Sequence, residues 1–390
     1  MTPAARVQAG IEVLDLIIAA ARNNGASADR IVAEWFKTRR YMGSGDRRAV
    51  RELVYGAVRV CGEIPVTGRA AMLRFAKSDP AIAPLFDGST HAPPPIGSGE
   101  PVASAGTAPR WLEVKLADSD IAGPDAAALL ERAPLDIRVN PLKGVMPDLP
   151  LPGEPTPAPN GLRFPAGTPV EQWDAYQNGQ IEVQDAGSQL CCLAVAARPG
   201  ETVIDLCAGA GGKTLALAAA MDNRGRLIAT DTDRGRLSRL LPRAARGGAI
   251  NVETRLLNPG RETEVLGALT GQADAVLIDA PCSGTGTWRR NPEARWRLSS
   301  AELARLAALQ LRLLDLAAPL LRPGGRLIYV TCSLLDGEGA DQAEAFLTRH
   351  PKWRAALPVL PAGTPRGAGL RLTPGRDGTD GFFIACFAAP

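Results

Sequence analysis

A glycine-rich segment between a predicted strand and a predicted helix constrains the fold of this chain more than any other sequence feature. Residues 202–206 are mostly apolar and predict a strand, and residues 215–221 predict a helix. Between them lie Gly209, Gly211 and Gly212. Glycine lets the backbone approach a ligand closely, and the first amides of the helix face the polar groups of that ligand. The segment therefore predicts a nucleotide-binding loop in an α/β fold.

The rest of the second half of the chain continues this alternation of strands and helices. Further strands are predicted at residues 226–230, 275–279 and 326–331, and a last one at residues 381–387. Small residues or helical runs follow the first three of them. This order predicts a mostly parallel, doubly wound sheet.

Three kinds of ligand compete for the glycine loop. A phosphate-binding P-loop needs a glycine where Cys207 stands, and a dinucleotide fingerprint needs a third glycine where Thr214 stands. Asp205 closes the strand before the loop. Asp231 closes the next strand, where a carboxylate can accept hydrogen bonds from both hydroxyls of a ribose. The loop alone leaves a nicotinamide dinucleotide and S-adenosylmethionine both open.

Two cysteines follow two successive predicted strands. Cys282 lies in the motif Asp-Ala-Pro-Cys-Ser-Gly after the strand at 275–279, and Cys332 lies in Thr-Cys-Ser after the strand at 326–331. In an open parallel sheet, ligands bind outside the carboxyl ends of the strands. We therefore expect both thiols at the edge of the sheet that holds the glycine loop.

Methylation at carbon 5 of cytosine needs the groups that these motifs bring. Carbon 5 is a poor nucleophile, but addition of a thiolate to carbon 6 makes the ring an enamine that can attack an electrophilic methyl group. The carbon 5 proton must then leave, and the thiol must be expelled. Cys282, Cys332 and Asp279 supply these functions without a histidine. The two histidines, His91 and His350, lie near none of these motifs, which argues against enzymes that rely on a histidine base.

These motifs resemble those of the RsmB/Sun family of RNA cytosine-5 methyltransferases. The resemblance covers about residues 110–390, and the pair of cysteines is its most specific part. It implies a Rossmann-like class I methyltransferase domain, S-adenosylmethionine as the cofactor and RNA as the partner. Ribosomal RNA, 16S in bacterial members, is the expected substrate, with transfer RNA or another RNA as the alternative.

The resemblance also implies roles for single residues. Cys332 would be the nucleophile, and Cys282 would assist release of the product. Asp279 would lie between the cofactor and the target base, and Arg290 near the RNA strand. The residues implied to bind the cofactor are Cys207, Ala208, Gly209, Ala210, Gly211, Gly212, Lys213, Asp231, Asn258 and Asp279.

Two positions depart from the family's pattern. The family usually has a Gly-Asp pair after the third strand, and its aspartate contacts the adenine amino group; Asn258 stands there in this chain. The side-chain carbonyl of an asparagine can still accept that hydrogen bond. Ala210 replaces a proline that is common in the glycine loop. We expect cofactor binding to persist with both changes.

The chain is predicted to have four segments. Residues 1–78 resemble an all-α, NusB-like RNA-binding domain, with Arg47 and Arg48 as candidate RNA contacts. Residues 79–108 are rich in Pro and Gly and predict a linker, and residues 109–180 resemble the family's small α+β RNA-contacting module. Residues 181–390 form the predicted catalytic domain.

The bulk composition excludes little beyond this. The net charge of +3 is too small to indicate a polyanionic partner by itself, and the seven cysteines contain no Cys-x-x-Cys motif that would favour a metal site. The sequence has no membrane-spanning stretch and no signal-peptide pattern, so we expect a cytoplasmic protein that binds no membrane and no metal. A monomer is the default expectation.

Two other functions remain open beside RNA cytosine-5 methylation. A non-catalytic RNA-binding or assembly protein with a methyltransferase fold is the main alternative, and a nicotinamide oxidoreductase is a weaker one.

Overall fold

A computed structural model describes the protein over residues 1–390. The chain forms two compact units, one of residues 1–131 with 287–299 and the other of residues 132–286 with 300–390. The predicted four segments are therefore grouped differently, because the predicted module at 109–180 contributes to both units. No helix combines the length and the apolar character needed to cross a membrane.

The first unit is built from helices, as predicted. Thr2 caps the first helix by accepting a hydrogen bond from the amide of Ala5 at 3.1 Å, and Thr67 caps the fourth in the same way. Val7, Leu14 and Ile18 recur at helical spacing and are buried. The helices are α1 (Pro3–Arg22), α2 (Ala28–Lys37), α3 (Ser44–Val60), α4 (Gly68–Ser78), α5 (Arg110–Asp118) and α6 (Gly123–Ala128).

The segment predicted as a linker, residues 79–108, packs on the core of this unit. Apart from one short 3-10 turn it has no helix, but Ile82, Phe86 and Ala103 are buried in the same core as α1 to α4. Arg69 on α4 also holds Glu100 in an ion pair of 2.7 Å. The abundance of Pro and Gly predicted irregular backbone correctly, but apolar residues spaced along the segment bind it to the helices.

A small antiparallel sheet opens the second unit. Its strands lie in the order β2-β3-β1-β4, and Ile137, Phe164 and Ile181 pack with Trp173 in one core. The elements are β1 (Leu135–Val139), β2 (Glu154–Pro155), β3 (Gly161–Phe164), α7 (Asp174–Gln177) and β4 (Ile181–Val183).

The main sheet of the second unit confirms the predicted Rossmann-like α/β fold. Five strands, β7-β6-β5-β8-β9 in spatial order, run parallel, and antiparallel strands extend the sheet beyond β9. The elements are α8 (Ala186–Val195), β5 (Thr202–Asp205), α9 (Gly212–Ala220), β6 (Arg226–Asp231), α10 (Arg234–Leu237), α11 (Leu240–Gly247), β7 (Val252–Leu256), α12 (Thr263–Leu266), β8 (Ala273–Asp279), α13 (Ser300–Ala317), β9 (Leu321–Thr331), α14 (Ala340–Arg349), β10 (Arg354–Ala355), β11 (Thr364–Arg366), β12 (Gly369–Leu372), α15 (Pro374–Asp377) and β13 (Phe382–Ala388).

The central strands are apolar on both faces because helices cover both. Val203 of β5 packs into the core that includes α8 and α9, whereas the next residue, Ile204, packs into the core that includes α13 and α14. Successive side chains of a strand point to opposite faces, so a continuous apolar run is what two covered faces require. This packing leaves the carboxyl ends of the parallel strands as the place for a binding site.

Candidate active site

The candidate site lies at the carboxyl ends of β5, β6, β8 and β9. In the spatial order of the sheet, β6 and β8 flank β5. The chain continues from β5 to β6 and β7 on one side of β5, and then returns to form β8 on the other side. In open α/β sheets, ligands bind in the crevice at such a switch point. The glycine loop follows β5 directly, as the sequence predicts.

The glycine loop has a backbone that needs glycine at two positions. Gly209 and Gly211 have positive φ values of 55° and 88°. A side chain at position 211 would place its Cβ 2.6 Å from Cγ of Leu240. The loop is also held to the next strand, because the amide of Ala208 donates to the carbonyl of Thr230 at 2.9 Å.

Asp231 at the end of β6 fits the part of a ribose-binding carboxylate. Its Oδ2 accepts a hydrogen bond from the amide of Gly209 at 2.7 Å, and its Oδ1 accepts one from the amide of Asp233 at 2.7 Å. Each carboxylate oxygen has a second lone pair that can accept a ligand hydroxyl. The donor set therefore fits a nucleoside at this loop, which is the part that S-adenosylmethionine would present.

Asn258 follows β7, one residue beyond a backbone hydrogen bond that joins this segment to Asp231. The amide of Leu257 donates to the backbone carbonyl of Asp231 at 2.9 Å, and Asn258 comes next and is exposed. On the loop itself, the carbonyl of Ala210 accepts a hydrogen bond from Arg243 at 2.8 Å, and Cys207 is partly exposed. The use of these residues in cofactor binding stays a prediction.

Lys213 and Asp279 form an ion pair that links the glycine loop to β8. Nζ of Lys213 lies 2.7 Å from Oδ2 of Asp279. Burial alone would lower the pKa of the Lys213 ammonium, but the Asp279 carboxylate, together with the nearby sulfurs of Cys191 and Cys192, holds this pKa above its ordinary value. The lysine is thus a fixed positive charge that orients one oxygen of Asp279 and leaves the other free to act.

The two thiols meet after β8 and β9. Sγ of Cys282 lies 3.4 Å from Sγ of Cys332, and both side chains are partly exposed. The two loops are joined by backbone hydrogen bonds, because the amide of Gly286 donates to the carbonyl of Cys332 at 3.0 Å. The hydrogen bond with Cys332, and then burial, raise the pKa of the Cys282 thiol well above its ordinary value. Cys282 therefore keeps its proton at neutral pH.

The structure also has a buried acidic residue near the thiols that the sequence analysis missed. Glu338 is 2% exposed and accepts hydrogen bonds from Ser283 and Ser333, the residues that follow the two cysteines. The signal in the sequence was a serine after each cysteine, but nothing in the sequence connects those serines to Glu338.

The arginines predicted to contact RNA all belong to the first unit. Arg47 and Arg48 lie in the second turn of α3, where Arg48 is exposed and Nε of Arg47 donates to the carbonyl of Met42 at 3.0 Å. Arg290 lies in the segment 287–299 and is partly exposed. Their contact with RNA stays a prediction.

Asp205, at the end of β5, predicts an unusual dependence of stability on pH. It is fully buried, Oδ2 accepts a hydrogen bond from Thr214 at 2.7 Å, and Oδ1 has no partner. Burial, together with the charges of Asp279 and Asp231, raises the pKa of Asp205 from 3.8 to about 7. Because the folded pKa is the higher one, the fold favours the neutral acid, and the stability this provides below pH 3.8 is lost as the pH rises to about 7.

We therefore expect Asp205→Asn to be more stable than the wild type at pH 8, by up to about 4 kcal/mol, with the difference vanishing near pH 4. An asparagine keeps the acceptor for Thr214 and carries no charge. Urea denaturation of both proteins at several pH values measures the difference. Asp118→Asn, at an exposed site on α5, is the control. Equal stability of Asp205→Asn and the wild type at pH 8 would contradict this account of the buried carboxylate.

The sheet order, the glycine loop and the acidic residue that closes β6 together define a Rossmann-like domain with a nucleoside site, as in class I methyltransferases that use S-adenosylmethionine as their cofactor. The comparisons with known proteins agree. The family model described as "16S rRNA methyltransferase RsmB/F" matches residues 192–388. The chain belongs to this family, and the predicted family and cofactor are confirmed.

Individual relatives extend the similarity beyond the matched domain. The chain is 38% identical over 267 residues to "Ribosomal RNA small subunit methyltransferase B" of Salmonella newport, a match that covers 65% of this chain and 59% of that protein. This chain thus spans about three fifths of the length of that relative. The crystal structure of PH0851 is similar over 99% of both chains, with a TM-score of 0.78 and 25% identity. A methyltransferase homologue from Pyrococcus horikoshii is similar over 72% of this chain and 99% of its own, with a TM-score of 0.60 and 27% identity.

Proposed function

We propose that this protein is an S-adenosylmethionine-dependent RNA methyltransferase that forms 5-methylcytosine, with 16S ribosomal RNA as its substrate. The observation that carries the proposal is the 3.4 Å separation of the sulfurs of Cys282 and Cys332 at the carboxyl ends of β8 and β9. A pure binding protein has no use for two thiols that meet beside a cofactor loop.

The thiol pair supplies the two operations that the ring requires. In this proposal, the thiolate of Cys332 adds to carbon 6 of cytosine, and the π electrons of the carbon 5–carbon 6 bond become available at carbon 5. Once carbon 5 carries the methyl group, a base removes its proton. The electrons of that bond then reform the double bond and expel the Cys332 thiolate.

The assignment of the nucleophile is supported by the protonation of the other thiol. Because the pKa of Cys282 is raised well above its ordinary value, Cys282 stays a neutral thiol at neutral pH. A neutral thiol at 3.4 Å can donate a hydrogen bond to the Cys332 sulfur when that sulfur leaves carbon 6 as a thiolate. This arrangement favours Cys332 as the nucleophile and leaves Cys282 to assist release.

The cofactor would be held by the glycine loop and the carboxylate that closes β6. When bound, S-adenosylmethionine supplies an electrophilic methyl group on a sulfonium sulfur. Gly209, Gly211 and Asp231 shape the nucleoside site through the contacts described above, and Asp279 extends from β8 toward the same crevice, where Lys213 fixes its orientation. A carboxylate in that place can accept a hydrogen bond from the exocyclic amine of cytosine.

RNA as the substrate is supported by the family and by the curated relative described above. The predicted contacts, Arg47, Arg48 and Arg290, would bind phosphates, since contacts of lysine and arginine with phosphates provide most of the sequence-independent affinity for nucleic acids. The all-helical first unit would then serve to hold the RNA while a cytosine reaches the thiols.

Tritium transfer from labelled S-adenosylmethionine to RNA tests the proposal. We expect the full chain to label unmodified 16S ribosomal RNA, and bisulfite sequencing of the product to locate 5-methylcytosine at a specific cytosine. Unmodified transfer RNA is the parallel substrate, and labelling of it alone would reassign the substrate. Cofactor binding by calorimetry without transfer to any RNA would instead support the non-catalytic alternative.

A further inference from the structure

The carboxylate of Glu338 joins the two loops that carry the thiols. Oε1 accepts hydrogen bonds from the backbone amide of Ser283 at 2.9 Å and from Nε2 of Gln310 at 3.1 Å. Oε2 accepts one from the hydroxyl of Ser333 at 2.6 Å and another from the hydroxyl of Ser283. All four acceptor positions of one buried carboxylate are thus used, and three of them hold residues next to Cys282 and Cys332.

The position of Glu338 is itself fixed by the surrounding fold. Its backbone carbonyl accepts a hydrogen bond from the hydroxyl of Tyr329 on β9 at 2.7 Å, and its amide donates to the carbonyl of Leu335 at 3.0 Å. Tyr329 is fully buried. The backbone of Glu338 is therefore held in place, so that its carboxylate can restrain the two loops that donate to it.

Direct contacts between the loops complete the connection. The hydroxyls of Ser283 and Ser333 lie 3.2 Å apart, and the hydroxyl of Thr285 lies 3.1 Å from that of Ser333. Thr285 also accepts a hydrogen bond from the amide of Leu334 at 2.8 Å. Without the carboxylate, the hydroxyls of Ser283 and Ser333 would lose the acceptor to which they donate, and the buried amide of Ser283 would have no partner.

We propose that Glu338 is a positioning residue that sets the separation of the Cys282 and Cys332 sulfurs through its hydrogen bonds to the two loops that carry them. The inference rests on the proposed function, because the separation matters for catalysis only if both thiols act on one base. Glu338 does not touch the thiols in the structure. It acts through the serine that follows each of them.

The chemistry of the network predicts which substitutions it tolerates. A glutamine keeps the length of the side chain and one oxygen acceptor, and its amide can donate to the hydroxyl oxygens of the serines, which can also accept. An aspartate keeps the negative charge but withdraws the carboxylate by one methylene group. If reach and hydrogen bonding position the thiols, Glu338→Gln is tolerated better than Glu338→Asp.

The kinetic experiment compares Glu338→Gln, Glu338→Asp and Glu338→Ala with Glu344→Gln as the control. Glu344 is exposed on α14 in the same stretch of chain. We expect kcat for methyl transfer to fall by about 10- to 100-fold in the Asp and Ala variants and by less than about tenfold in the Gln variant. KM for RNA should change little, because a residue that is 2% exposed cannot contact RNA. Wild-type kcat in the Asp variant with a loss in the Gln variant would assign a charge effect and overturn the positioning role.

A second measurement reads the geometry without any turnover. Diamide oxidises two close thiols to a disulfide, in which the sulfurs lose two protons and two electrons while the diazene is reduced to a hydrazine. The sulfurs need to approach from 3.4 Å to a bond length of about 2 Å. We expect formation of the Cys282–Cys332 disulfide, followed by peptide mass spectrometry, to slow by about tenfold in Glu338→Asp and much less in Glu338→Gln. Alkylation rates of the same two thiols correct for any change in thiolate fraction.

The two measurements separate failure of this inference from failure of the proposed function. If the wild type methylates no RNA but the disulfide still forms more slowly in the Asp variant than in the Gln variant, the positioning role stands and the function is wrong. Disulfide rates equal to the wild type in all three variants would overturn the positioning role, whatever the activity. Should Glu338→Ala fail to fold, the comparison of the Asp and Gln variants decides the question alone.

Discussion

Replacing Cys332 with alanine is expected to abolish methyl transfer to RNA, with kcat lowered by at least about 10⁴-fold. Without the sulfur of Cys332, the chain lacks the group that adds to carbon 6 and raises the nucleophilicity of carbon 5. Cys282 is a poor replacement, because burial and the nearby Glu338 carboxylate still raise its pKa after the hydrogen bond with Cys332 is lost. Tritium transfer under single-turnover conditions measures the loss without interference from product release.

The control for this variant is Cys386→Ala. Cys386 is a buried thiol on β13, and its sulfur contacts the carbonyl of Ala194 at 3.8 Å, so the change removes a core thiol and leaves the pair of catalytic candidates intact. We expect near-normal turnover in that control and normal cofactor binding by calorimetry in both variants. Turnover within tenfold of the wild type in Cys332→Ala would remove Cys332 from the role of nucleophile.

The meeting of the two thiols could be predicted from the sequence because it follows from sheet topology. Each cysteine motif directly follows an apolar run that forms a strand, β8 for Cys282 and β9 for Cys332, and the carboxyl ends of parallel strands share one edge. The strand pairing confirms that β8 and β9 are neighbours. The same reasoning located Asp231 beside the glycine loop, where its carboxylate accepts from Gly209.

The role of Glu338 could not be predicted in this way. It lies in a short 3-10 turn after β9, with no strand end or glycine motif to mark it, and an isolated glutamate is most often a solvated surface residue. Its importance comes from four donors that converge on it from separate parts of the chain. Hydrogen bonding of this kind depends on three-dimensional placement, which periodicity in the sequence does not encode.

The return of residues 287–299 to the first unit was a second feature that the sequence did not indicate. Arg295 in this segment is fully buried and donates hydrogen bonds to the carbonyls of Val58 at 2.6 Å and Cys61 at 2.8 Å. Burial lowers the pKa of its guanidinium to about 9. Arginine side chains are mostly exposed in folded proteins, so the residue type alone favours an exposed position. The carbonyls at the end of α3 explain why this arginine is buried, because they accept its hydrogen bonds.

Two local differences have simple backbone causes. Residues 110–128 form two helices, α5 and α6, and not one, because Asp120 between them and Gly123 at the start of α6 have positive φ values of 59° and 53° that no continuing helix allows. β9 begins at Leu321, earlier than the predicted residue 326, although its first part contains a proline and two glycines. Of these added residues, Leu321 pairs with Ala273 of β8, and an irregularity separates this pair from the regular register that begins at Arg326.

Replacing Cys282 with alanine is expected to leave the attack by Cys332 intact and to block the later release, so that a covalent protein–RNA complex accumulates. Cys282 is the group 3.4 Å from the attacking sulfur, and it can stabilise that sulfur as a leaving thiolate by donating its proton. Removing it should lower multiple-turnover kcat by about 10²- to 10³-fold. Denaturing gel electrophoresis with labelled RNA should show a slow-migrating complex that nuclease treatment removes.

The double variant Cys282→Ala with Cys332→Ala decides whether that complex has the proposed linkage. It should form no complex, because the bond to carbon 6 is made by the sulfur of Cys332. Mass spectrometry of nuclease-treated protein should locate the remaining nucleotide on the peptide that contains Cys332, with its mass increased by one methyl group. A complex that persists in the double variant, or a nucleotide found on another cysteine, would show that the two thiols do not divide the reaction as their geometry indicates.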